Sequence, residues 1–193
     1  MASPNRNLLI ITQLLPKNLD DSSILDCGCG YGTLGFLIRA RKDGGAYIEG
    51  FDLYKPYIDK LKLLDIYDRV YEMDIMSIYN LNRKYDYVFA LEIFEHINRD
   101  EAFKILPILE GMCNKMLIIS TPIGYLRQGV GEDGNIHQIH QSSYRPKDFK
   151  QLGYETKYIY RFTKILRIVQ IIRCWVFGLD YKAGNFVAWK RFD

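Results

Sequence analysis

Residues 24–35 read Ile-Leu-Asp-Cys-Gly-Cys-Gly-Tyr-Gly-Thr-Leu-Gly. An apolar strand, Ser23–Asp26, runs into three alternate glycines, Gly28, Gly30 and Gly32, and a helix is expected to start near Thr33. Glycine lets the backbone turn sharply and approach a ligand with no side chain in the way, and a helix start offers free N–H groups. Two ligands compete for such a loop. Gly30-Tyr31-Gly32-Thr33-Leu34-Gly35 satisfies the dinucleotide spacing G-x-G-x-x-G, and Asp52 lies about 20 residues on, where an acid binds ribose hydroxyls. The dinucleotide fingerprint, however, puts its first glycine directly at the strand end. Here Asp26 ends the strand and the glycines follow it.

Outward from this loop the chain alternates. Ala46–Asp52, Arg69–Met73, Tyr85–Leu91 and Met116–Thr121 read as strands, and Lys55–Leu64 and Asp100–Cys113 as helices. A short amphipathic helix over residues 5–15 precedes the first strand. A glycine-rich polar loop, Gly124–Gln141, is expected over the carboxyl edge of the sheet. A helix at Pro146–Leu152 follows, then strands at Tyr154–Tyr160 and Asn185–Arg191, separated by an apolar-basic helical insertion over residues 161–179. Short apolar strands alternating with longer helices predict an α/β fold: a Rossmann-like, doubly wound, mostly parallel seven-stranded sheet. The last two strands lack the usual crossover, so an antiparallel edge is expected. The whole chain, 1–193, reads as a single domain.

Composition narrows the function. A chain of 193 residues with 48% apolar and 25% charged residues is neither disordered nor low-complexity. Lys+Arg 26 against Asp+Glu 23 leaves +3, too small a surplus to argue for nucleic acid, which is not expected as a partner. The four cysteines, Cys27, Cys29, Cys113 and Cys174, form no paired zinc pattern. With no signal peptide visible, a reduced, cytoplasmic protein is expected. No apolar run approaches the roughly 20 residues of a spanning helix, so any membrane contact would be peripheral.

Asp26-x-Gly28-x-Gly30-x-Gly32, set behind its strand in this way, resembles the acidic glycine loop of class I S-adenosylmethionine (SAM)-dependent methyltransferases. The resemblance extends over residues 23–191. It implies that the loop, Asp26 with Gly28, Cys29, Gly30, Tyr31 and Gly32, packs against the amino-acid end of SAM. It also implies that Asp52, beside Leu53, grips the ribose hydroxyls and that Asp74, beside Ile75, meets the adenine amino group. Leu91 and Glu92 at the end of the fourth strand complete the expected cofactor site. One such acid alone is as readily a helix cap. Three acids at the ends of successive strands are expected to face the crevice where open α/β sheets bind ligands.

Methyl transfer from a sulfonium is an in-line displacement, so the protein mostly positions the acceptor and removes its proton. Glu92, Glu95 and His96 stand at i, i+3 and i+4, and a helical turn would bring them to one face. His137 and His140 lie in the loop after the fifth strand, so all three histidines map to one site. Carboxylates with imidazoles suit a divalent metal such as Mg²⁺, which would lower the pKa of an acceptor hydroxyl. The E-x-x-E-H turn resembles that of the ubiquinone-biosynthesis O-methyltransferases and of the small-RNA 3′-terminal 2′-O-methyltransferases. That resemblance implies Glu92, Glu95 and His96 as metal ligands, with His140 or His137 as the distal histidine. Without a metal, His137 or His140 is the candidate general base, His96 is a cap, and one glutamate touches the SAM ammonium group.

The expected acceptor is a small-molecule or lipid-linked metabolite methylated on oxygen. RNA or protein methylation, or a non-catalytic SAM-binding partner subunit, is the alternative. Little chain precedes the first strand, so specificity is expected from Ile123–Ser143 and from 161–179. On a helix, Phe162, Ile165, Ile168, Val169, Ile172, Trp175, Val176 and Leu179 share one broad apolar face edged by Lys164 and Arg173. Three roles compete for it: burial within the monomer, a homodimer interface, or an interfacial membrane contact.

Overall fold

The computed structural model describes residues 5–41, 45–160 and 184–192. Its strands are β1 (Ser23–Cys27), β2 (Tyr47–Asp52), β3 (Arg69–Glu72), β4 (Tyr85–Leu91), β5 (Cys113–Pro122), β6 (Glu155–Tyr160) and β7 (Gly184–Arg191). They form one sheet in the order β3-β2-β1-β4-β5-β7-β6. The first five run parallel. The expected antiparallel edge is present, with β7 lying between β5 and β6 and antiparallel to both. From β1 the chain winds outward through β2 and β3, then returns to add β4 and β5 on the other side. That reversal opens a crevice between the carboxyl ends of β1 and β4.

The central strands read as unbroken apolar runs because both of their faces are covered. Alternate residues point to opposite sides. Leu25, Cys27, Val88, Ala90, Leu117 and Ile119 meet α4 (Arg99–Gly111) and α5 (Pro146–Lys150). Ile24, Ile48, Tyr87, Phe89, Met116 and Ile118 meet α1 (Asn5–Leu14), α2 (Thr33–Arg39) and α3 (Lys55–Leu64). Each such aliphatic side chain, fully buried, contributes roughly 1.5–3 kcal/mol. α4 starts where Asn98 accepts a hydrogen bond from the Asp100 amide at 2.9 Å, the usual work of an N-cap.

Several boundaries differ from expectation. The expected helix Asp100–Cys113 ends at Gly111, and β5 begins at Cys113 rather than Met116, because Cys113 pairs with Tyr85 across a register shift. A 3-10 turn at Ile75–Leu81, which sequence reading missed, is capped by Asp74. The expected insertion 161–179 lies outside the described residues. Among those residues, no helix is long and apolar enough to cross a membrane.

Candidate functional site

The glycine loop leaves β1 at Cys27, and Gly28, Gly30 and Gly32 all adopt positive φ, between 53° and 79°. At Gly32 this combines with crowding, since an added Cβ would lie 2.5 Å from Leu61 Cδ2. At Gly30 the same Cβ would meet nothing nearer than 4.0 Å, so bare backbone faces open space. The Gly30 amide donates to Asp52 Oδ2 at 2.9 Å, and the Tyr54 amide to Asp52 Oδ1 at 2.8 Å. Burial pushes the Asp52 carboxyl up, and those two amides hold it back.

That open space belongs to a cavity of about 480 Å³ at the carboxyl edge of the sheet. Gly28, Gly30, Asp52, Leu53, Asp74, Ile75, Leu91 and Glu92 line it, as expected of a cofactor crevice. Met73, Met76, Ile93, Ile97, Glu101 and Asn135 line it too and were not foreseen. Cys29, Tyr31 and Gly32 lie outside its walls. Cys29 is buried and Tyr31 is exposed. Burial pushes the Cys27 and Cys29 thiols well up, which suits packing.

Asp26 corrects an expectation. β1 runs on to Cys27, and Asp26, on the same side of the strand as Ile24, faces α2 and α3 rather than the crevice. There it is 3% exposed and accepts from the Tyr67 hydroxyl at 2.6 Å. Burial pushes its carboxyl up to about 7, against the Tyr67 bond and with help from the charge of Asp52.

The E-x-x-E-H residues do not share a helical face. Glu92 has φ 54°, a left-handed conformation, and the chain passes through it into a 3-10 turn at Phe94–His96. Its carboxylate is consequently turned into a network of three elements. Oε1 accepts from Asn7 Nδ2 at 2.9 Å and Ser120 Oγ at 2.7 Å, and Oε2 from Asn185 Nδ2 at 2.7 Å. The short N-terminal helix therefore reaches the site, through an asparagine that no local motif marks.

Glu95, His96 and His140 do converge, with one ligand atom of each within 4.8 Å of the others. The chain clasps them: the Gln141 and Ser142 amides donate to the Glu95 carbonyl at 2.8 and 3.1 Å, and Ser142 Oγ to the Phe94 carbonyl. Nδ1 of His96 faces the Ile139 carbonyl and Nδ1 of His140 the Leu126 carbonyl. The two rings stand 4.8 Å apart edge to face. Burial and the neighbouring His140 push His96 down to about 4. Burial, then the charge of Glu92, pushes Glu95 well up, and its buried Oε2 has no hydrogen-bond partner. His137 lines the cavity but stands outside this group, as does Glu92.

The loop after β5 closes over the cavity, with Asn135–Ile139 and Gln141 among its walls. It exposes the apolar side chains Tyr125, Val130, Ile136 and Ile139 alongside the charged Arg127, Glu132 and Asp133. Its tip is tied across the crevice. Asp133 Oδ2 accepts from Tyr31 Oη at 2.8 Å and from Tyr57 Oη, and its carbonyl accepts from Tyr54 Oη at 3.2 Å.

A family model described as a methyltransferase domain matches residues 4–103. No curated protein sequence matches this chain. Among solved structures, a SAM-dependent methyltransferase from Archaeoglobus fulgidus superposes with TM-score 0.63 at 15% identity, covering 97% of this chain and 93% of that one. Magnesium protoporphyrin IX methyltransferase from Synechocystis, with bound SAM, gives 0.60 at 17% identity over 98% and 77%. Small RNA methyltransferase HEN1 gives 0.67 at 16% identity over 98% of this chain and 25% of that one.

Proposed function

Since this chain belongs to the methyltransferase-domain family and works as a SAM-dependent methyltransferase, we propose that it methylates a hydroxyl oxygen of a small-molecule or lipid-linked metabolite, assisted by a divalent metal. The observation that carries this reading is one cavity with two kinds of wall. On one side stand Gly30, Asp52 and Asp74, suited to the cofactor, and on the other His96, with Glu95 and His140 buried behind it.

Asp52 keeps lone pairs on both oxygens beyond the two amide bonds, enough to accept both ribose hydroxyls. Asp74 binds only the Met76 amide through Oδ1, which leaves Oδ2 for an adenine amino group. Bare backbone at Gly30 admits the amino-acid end of SAM without a Cβ in the way.

Glu95, His96 and His140 fit a divalent cation such as Mg²⁺. The set offers a buried carboxylate with one oxygen that has no partner, and two imidazoles, one ligand atom of each residue lying within 4.8 Å of the others. A cation there would stabilise the ionised Glu95 that burial otherwise disfavours. When bound, it supplies Lewis-acid polarisation of the acceptor oxygen. His137, on the cavity wall, is the group of this chain suited to take the hydroxyl proton. Ile136 and Ile139 on the cavity wall favour an acceptor with an apolar body. Methylation of an RNA 3′ end is the second reading, favoured by His140 joining the Glu95–His96 turn as the distal histidine.

The test is transfer of labelled methyl from SAM to hydroxylated aromatics with and without an apolar tail, and to small RNA, each with chelator and with added Mg²⁺. Label in the tailed aromatic, lost on chelation, is the expected result. Label confined to RNA would replace the acceptor assignment, and chelator-insensitive transfer would remove the metal.

A further inference from the structure

We infer that Asp133 is a positioning residue, the latch that holds the loop after β5 closed over the bound cofactor and thereby sets how long SAM and its demethylated product stay. The inference rests on the SAM reading of the cavity and concerns a part of the molecule outside the methyl-transfer chemistry.

The loop is anchored at its base independently of any ligand. Ile123 bridges to Tyr144, the Gly124 amide donates to the Tyr144 carbonyl at 2.8 Å, and Gln141 and Ser142 are fixed on the Glu95 carbonyl. The far end has a different kind of hold. Asp133 reaches Tyr31, inside the glycine loop beside Gly30, and Tyr54 and Tyr57, directly after Asp52 and Leu53. The three phenols form a packed cluster, with ring centroids of Tyr31 and Tyr57 4.4 Å apart and of Tyr54 and Tyr57 4.8 Å apart. Base and tip therefore lie on opposite sides of the cavity, and Asn135 and Ile136, between them, form part of its wall.

Closure of this kind sequesters a bound molecule, and release requires the tip to lift. The only side chain that ties the tip by ionised hydrogen bonds, among the described residues, is Asp133. Two phenol donors on one carboxylate oxygen are charge-assisted bonds, and the Tyr57 and Tyr31 bonds hold its carboxyl down to about 2, so it stays ionised. Asp133 and Tyr31 are solvent-exposed, and neither is part of the packed core, so the contact can open without unfolding the sheet.

Stopped-flow measurement of SAM and S-adenosylhomocysteine dissociation, with steady-state kinetics, tests the latch in the full chain. Asp133→Ala is expected to speed dissociation of both ligands about tenfold and to raise KM for SAM similarly, with a smaller change in kcat. Tyr31→Phe is expected to move dissociation in the same direction. Adding it to Asp133→Ala should change nothing further, since the bond is already gone. If Asp133→Ala were to melt early, Tyr31→Phe alone carries the measurement. Wild type that binds SAM, with dissociation unchanged in both variants, overturns the latch. Wild type that binds neither ligand overturns the cofactor reading itself, and the latch with it.

Discussion

Asn7 and Glu92, separated by 85 positions in the chain, meet at 2.9 Å in a contact that joins the buried amide of the N-terminal helix to the end of β4. The asparagine amide donates, and together with Ser120 and Asn185 it stabilises a carboxylate that burial would otherwise drive toward its neutral form. Asn7→Ala removes one of three donors from a buried charge, which is expected to lower stability by about 1–3 kcal/mol. Asn7→Asp should be worse, because it sets a second carboxylate against the first. Urea unfolding checks both, and an unchanged midpoint for Asn7→Asp would leave the contact without energetic weight.

Asp52→Ala is expected to weaken SAM binding at least tenfold by calorimetry. On the proposed cofactor reading it removes two charge-assisted hydroxyl bonds, each worth about 1.5–3 kcal/mol. The variant should still fold, since the Gly30 and Tyr54 amides it frees lie at the cavity edge and can bind water. Unchanged affinity would count against the assignment of the whole cofactor pocket.

Glu95→Gln tests Glu95 as a metal ligand. Under the metal reading, turnover falls to the level seen with chelator and Mg²⁺ no longer restores it. The amide is also expected to leave the melting temperature equal or higher, because it replaces a buried acid that lacks a partner on Oε2. Full activity with metal restored in Glu95→Gln would dismiss Glu95 as a ligand.

Asp26 predicts a pH dependence of stability in the ligand-free protein. Its folded carboxyl titrates at about 7, above the ordinary value of about 3.9 for an unfolded chain. Between those values the folded form holds a proton that the unfolded form has lost. Stability from this residue is therefore full below about pH 4 and declines as pH rises through about 7, by up to about 4 kcal/mol. Asp26→Asn keeps an acceptor for Tyr67 and cannot ionise. Its melting temperature should gain on wild type from about pH 4 to about pH 7 and level off above that, and parallel curves would show that Asp26 does not carry the effect.

What the sequence determined by itself was everything that local periodicity and loop chemistry control. Apolar runs such as Tyr85–Leu91 and Met116–Thr121 can bury both faces only in a covered parallel sheet, and the order of strands and helices then leaves one crevice at the carboxyl ends. The glycines and the acids Asp52 and Asp74 follow directly from that placement, since each sits where a strand stops. Tertiary structure decided where side chains point and which distant ones meet. Asp26 shares the face of Ile24, where the Tyr67 hydroxyl, brought in from between α3 and β3, takes its carboxyl away from the crevice. A left-handed Glu92 broke the anticipated helical face and left Glu95 and His96 to join His140 instead. Asn7 with Glu92, and Asp133 with Tyr31 and Tyr57, are contacts across 76 to 102 residues of chain. No spacing rule encodes them, because packing of the two layers brings those groups together only once the sheet has formed.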